Sequence, residues 1–369
     1  MKKIIALCVL CVIFTAVFSV PALAASNQEE AWYGELWNSI DDDTAKSLEK
    51  LGFDEISVQN FLEISPQKVF ELIIDIARGG VFAPLRSMAA ILIILIALSL
   101  VLTFLPENSA LAAPVETAGA ALAMFYVIRA GGGIVTSCLS ALELTRNFML
   151  TLIPVFAGVI AFSGNPTLAV SFNSVVFSFA QGVSLLFSRS MPSIAAIGSG
   201  IAAACSLNPL MKLDGAAKIF SKAAVLIMGF IAGIFVAVMS VRGVIAGAAD
   251  TVSIKGLRFI IGNAVPVVGS AIGEALNSIA AGLGLIKHSM GMLGIIALII
   301  INLPALIELI LWRLCMYVIG VAAELLGKSA VKSLAEALGA MFSVIFAAMC
   351  FNMFVFVISI AIILTVKAG

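Results

Sequence analysis

Apolar runs long enough to cross a hydrocarbon layer recur along this chain, separated by single charges or short polar turns. A helix of about 20 residues spans the roughly 30 Å core of a bilayer. Residues 88–105 form the clearest run, closed by Pro106, and residues 108–128 form a weaker one interrupted by Glu116. No charge falls between Arg146 and Arg189, which leaves room for two spans joined at the turn formers Gly164, Asn165 and Pro166. Residues 190–205 are shorter and suit either a span or a re-entrant segment. Residues 223–241, most of 288–307 and 337–366 complete the set, the last long enough to cross with tilt. A membrane barrel would show ten-residue alternation, which is absent. The expectation is an all-α, polytopic membrane protein with seven to nine crossings, occupying residues 83–369.

Composition supports this reading, with 62% hydrophobic and 11% charged residues, where a soluble domain carries about a quarter charged. The first apolar run differs in kind. Lys2 and Lys3 precede an apolar core over residues 4–20, followed by Pro21 and Ala22-Leu23-Ala24, the small-x-small pattern of a signal peptide cleaved after Ala24. An uncleaved anchor is the alternative. Leu7 and Leu10 stand before Cys8 and Cys11 where a lipoprotein needs a small residue.

Residues 25–82 are then exported. Up to Gly80 this segment holds twelve acids against four bases, and it is too short to bury an independent core. Short helices are expected, with Thr44 and Ser57 as N-caps, Gly52 as a stop, and Ser65 followed by Pro66 as a start. Beyond Pro66, Val69, Leu72, Ile73 and Ile76 share one face opposite Lys68, Glu71, Asp75 and Arg78, a helix suited to the outer membrane surface or a partner. Asp41, Asp42 and Asp43 read as a solvated acidic turn, since no calcium-loop spacing follows them. Trp32, Tyr33 and Trp37 read as interfacial anchors. Orientation stays open: the lysines of residues 207–222 belong in the cytoplasm, yet one span later Arg242, Lys255 and Arg258 fall on the other side.

Residues 240–294 are rich in glycine. Gly229 and Gly233, Gly243 and Gly247, and Gly269 and Gly273 are small-xxx-small pairs that let two helix backbones approach closely. Pro266 removes a backbone donor beside Gly269, so the helix there is expected to kink or break, which membranes tolerate only where protein or water covers the backbone. A carboxylate at the bilayer centre costs about 2.5–3.5 kcal/mol, so Glu274 should face the bundle interior or sit at an interfacial helix end. Pro266, Gly269, Gly273, Glu274 and Asn277 are therefore the candidates for a conduit lining or helix break. Glu308 and Arg313 are intramembrane charges whose five-residue spacing points them at partners on other helices. Glu324, Lys328, Lys332 and Glu336, four apart, suit a solvated helix between two spans.

Enzyme chemistry finds little support. The lone histidine, His288, starts a span, and no CxxC, HExxH, phosphate-binding loop or nucleophile elbow occurs. Cys138, Cys205, Cys315 and Cys350 lie scattered through apolar segments without ligand spacing. Nothing implies a cofactor, a metal or nucleic acid.

The run SVRGVIAGAADTVSIKGLRFIIGNAVPVVGSAIGEAL, residues 240–276, resembles the central signature of the stage III sporulation protein AE family. The exported acidic segment and GGVFAPLRSMAAILIILIALSL at the first span are also similar to that family. The resemblance implies a polytopic protein of the mother cell, placed in the outer membrane around the forespore. It implies a transenvelope channel complex with ring-forming subunits, an ATPase-like cytoplasmic subunit and a forespore-side partner, supporting forespore development. It carries over no catalytic residues. The alternative is a self-contained secondary transporter for a small solute, which favours inverted repeats and a midplane site of broken helices.

Overall fold

The computed structural model describes residues 40–50, 66–106, 110–162, 165–207, 213–264 and 269–365. The signal peptide, Trp32, Tyr33, Trp37, Gly52, Ser57 and Pro266 lie outside the described residues. Seven helices follow in order: α1 (Asp42–Lys50), α2 (Pro66–Thr103), α3 (Ala112–Phe162), α4 (Pro166–Leu207), α5 (Leu213–Ala264), α6 (Gly269–Leu325) and α7 (Ser329–Thr365). Pro84, Pro154, Pro192 and Pro304 sit inside helices without ending them.

Among the described residues six helices are long and apolar enough to cross a membrane, where the apolar runs predict seven to nine crossings. Runs that read as separate are parts of one helix. Residues 112–128 and those after Arg146 share α3, because Arg129, Glu143 and Arg146 are good helix formers that interrupt apolarity without breaking the backbone. Residues 190–205 likewise continue α4 rather than forming an element of their own. α3 ends at Phe162 and α4 begins at Pro166, where the sequence places a turn between two helices.

α2 begins at Pro66, as the Ser65-Pro66 pair predicts. The helix is continuous: the stretch expected on the outer surface or a partner runs without a break into the candidate span Phe82–Thr103. In α1 the N-cap is Asp41 rather than Thr44. Its Oδ2 accepts the Thr44 N–H at 3.3 Å, and Thr44 itself is buried. Leu48 of α1 is fully buried, and the helix lies against α6 and α2.

Helices α6 and α7 form an antiparallel hairpin around a turn at Gly327, whose φ of 67° belongs to the left-handed region that glycine enters without steric cost. That turn replaces the continuous solvated helix expected over residues 324–336. Glu324 instead meets Lys332 across it at 2.7 Å. α7 is the central element, packed against α6, α4, α5 and α3. Aromatic pairs join it to its neighbours: Trp312 stacks on Phe342 at 5.6 Å, and Phe187 meets Phe351 edge-on at 5.6 Å. α2 and α5 lie at the periphery and turn Ile93, Ile96, Leu100, Leu226, Phe230 and Val244 outward. Apolar faces of this extent are unfavourable in water and natural in lipid.

Candidate functional site

Two carboxylates hold the bundle at opposite ends by capping helices other than their own. At the end where α3 turns into α4, Asp250 of α5 accepts the Thr167 N–H at Oδ1, 3.0 Å, and the Leu168 N–H at Oδ2, 2.9 Å. Pro166 opens α4 with the fixed φ that suits a first turn, leaving the next two N–H groups as orphans for an acceptor. The carboxylate supplies both bonds, is only 1% exposed, and sits at the positive pole of the α4 dipole. At the hairpin end, Glu116 of α3 accepts the Ala330 N–H at 3.2 Å and the Ser329 hydroxyl at 3.4 Å, capping α7. Glu116, read from sequence as a weakness in a span, is a helix cap. Replacing it with alanine is expected to cost about 0.5–2 kcal/mol, the usual loss for a cap, read as earlier unfolding in mixed micelles. The Lys218–Glu336 pair at 2.7 Å joins α5 to α7 at this same end, and the half-exposed Lys218 limits its contribution.

Between the caps lies a fully buried polar layer. Asn302 of α6 donates through Nδ2 to Thr145 Oγ1 of α3 and to the Leu298 carbonyl, each at 2.8 Å. Asn352 of α7 is equally buried. On the α3/α4 side, Arg146 Nε donates to Gln181 Oε1 at 2.8 Å.

The sequence-derived candidates divide. Gly229 and Gly233 face outward, and a Cβ on either would meet nothing within 4 Å among the described residues. Gly243 and Gly247 are buried, and Gly243 lines a small crevice with Leu168, Phe172, Met239 and Ile362. The close approaches are elsewhere. A Cβ on Gly119 would stand 2.6 Å from Leu98, on Gly198 2.5 Å from Met341, and on Gly291 and Gly294 2.8 Å from Leu364 and Leu152. Each of these glycines faces a bulky side chain and has no glycine four residues away, so a search for glycine pairs at that spacing does not find them. Gly269, Gly273, Glu274 and Asn277 fall on the opening turns of α6, with their side chains outside the described residues, and α5 ends at Ala264 just before Pro266. Arg313 lies over the Phe346 ring of α7 at 5.4 Å, a cation–π partner on another helix, while Glu308 is half-buried. Asp250 and Asn352 are missed by sequence reasoning. Their one signal is a lone polar residue inside an apolar run. Cys138, Cys205, Cys315 and Cys350 form no disulfide, and no cluster of metal-ligating side chains occurs among the described residues.

Comparison with known proteins assigns the chain. No solved structure matches it. A curated relative, stage III sporulation protein AE of Bacillus subtilis (strain 168), is 24% identical over 225 residues, covering 61% of this chain and 56% of the relative. The chain thus spans little more than half the length of that relative. The family model described as stage III sporulation protein AE matches residues 51–367, taking in all six apolar helices and both capped ends, and the chain belongs to that family.

Proposed function

We propose that this chain is a membrane-embedded subunit of a transenvelope channel complex linking mother cell and forespore, needed for forespore development. The observation that carries the reading is the family match across residues 51–367, joined to a bundle of six membrane-length helices. With residues 25–82 exported and each long helix crossing once, the hairpin end and the start of α5, with Lys218 and Lys222, lie in the cytoplasm, in accord with the positive-inside rule. The end capped by Asp250 then faces the space between the two membranes. α5 continues past Asp250 to Ala264, about 20 Å of further helix at 1.5 Å per residue, which carries Lys255 and Arg258 away from the bilayer. Their apparent conflict with the charge rule disappears in this arrangement, because they sit on a long helical extension rather than in a short loop.

On this reading the ring-forming and forespore-side partners meet that extension and the exported segment, while the ATPase-like partner meets the hairpin end. The chain works by assembly and not by catalysis. The self-contained transporter reading expects helices broken near the midplane, whereas α3, α6 and α7 run unbroken through the level of Thr145, Asn302 and Asn352. The decisive experiment has two arms. Deleting the chain in a spore-forming host should arrest forespore development, and the tagged chain should co-purify with other sporulation membrane proteins. Solute uptake coupled to an ion gradient by the purified chain alone in liposomes would overturn the subunit reading.

A further inference from the structure

We propose that the junction of α3, α6 and α7 binds an internal water molecule between Asn302 and Asn352. Both side chains are fully buried, and each stands well inside the long apolar helix that carries it. Contacts on either side fix the α6/α7 register. Trp312 stacks on Phe342, Ile360 closes on Gly294, and Leu364 closes on Gly291, so Asn302 and Asn352 stand at the same level. At 100° per residue, Asn352 lies between the side of α7 that meets α6, marked by Phe342 and Ile360, and the side that meets α4, marked by Met341 and Phe351. Glu336, which reaches α5, lies on the opposite side. The remaining sector is the one toward α3, where Thr145 sits.

The hydrogen-bond inventory at this junction specifies the ligand. Asn302 commits its Nδ2 to Thr145 and Leu298, which leaves its Oδ1 without a partner. Asn352 has neither Oδ1 nor Nδ2 partnered. The outstanding groups are two acceptor oxygens and one NH2 group with its two N–H donors, and a single water offers two donors and two acceptor lone pairs in return. A bare cation fits worse: the Asn352 amide donor opposes it, and Glu308, the nearest acid along α6, stands six residues from Asn302, about 9 Å along the helix axis. An apolar bundle that keeps two carboxamides in register at its centre holds a wet point there.

Hydroxyl-radical footprinting of the full chain in lipid nanodiscs tests this, because radicals form where water resides. Met349, fully buried and one turn from Asn352, should oxidise readily, while Met290, equally buried near the end of the bundle, should stay protected. In the double variant Asn302→Leu, Asn352→Leu, oxidation of Met349 should fall to the level of Met290. Equal protection of Met349 and Met290 in the unaltered protein would overturn the proposal without any variant having to fold. Undiminished Met349 oxidation in a folded double variant would overturn it too. A melting temperature that rises in sodium or potassium over N-methylglucamine at constant ionic strength would assign a cation instead, and no such rise is expected.

Discussion

Valine in place of Gly198 forces α4 away from α7 and is expected to be among the most damaging single changes in the bundle. The new Cβ would stand 2.5 Å from Met341 Cγ and 2.7 Å from both its Cβ and Sδ. Met341 Cβ is fixed to the α7 backbone, so a change of rotamer does not relieve the clash. Overpacking a tight contact costs about 1–3 kcal/mol, and a branched side chain exceeds what alanine would cost. Replacing a helical glycine regains up to about 1 kcal/mol of backbone propensity. The clash therefore wins. Unfolding by SDS titration in mixed micelles should show Gly198→Val opening well before the parent. Gly229→Leu, which meets open space, should unfold with the parent or slightly later. If Gly198→Val unfolds at the parent's midpoint, the close α4–α7 contact does not exist.

The second large effect is expected at Asp250. Alanine there strands the Thr167 and Leu168 N–H groups and removes the negative charge from the positive pole of α4. Hydrogen bonds to charged groups contribute about 1.5–3 kcal/mol each, and water reaching the helix end recovers part of the loss, so the net cost should be about 2–3 kcal/mol. The Asp250→Asn variant keeps one acceptor oxygen and should lose roughly half as much. Hydrogen exchange at Thr167 and Leu168 distinguishes a lost cap from general loosening. Rapid exchange should stay confined to the first turn of α4 in Asp250→Ala. Unchanged protection of both amides would show that the cap contributes nothing.

Membrane residence and helical class were legible in the chain because hydropathy is a local property. A run of apolar residues needs lipid whatever its neighbours are, and lipid leaves helix as the way to satisfy its backbone. Single-residue punctuation was legible for the same reason: Pro66 starts α2, and Pro166 starts α4. Charges within runs divide an apolar run in the sequence without dividing the helix that carries it. Glu116 and Arg146 lower local hydropathy without disturbing the backbone, and only their partners, the N-terminus of α7 and the side chain of Gln181, explain their presence.

Which glycines carry packing, and which polar residues hold the bundle together, were decided by the tertiary structure. A helix shows its periodicity along its own axis, but contact depends on the neighbour at the same height. Gly229 and Gly233 have ideal spacing and meet open space, whereas Gly198 has no glycine four residues away and faces Met341 directly. Asp250 and Asn352 look like isolated polar residues until the register of α5 against α4, and of α7 against α6, brings a polar group level with each. Register arises from the simultaneous packing of all the helices, and no window of sequence contains it.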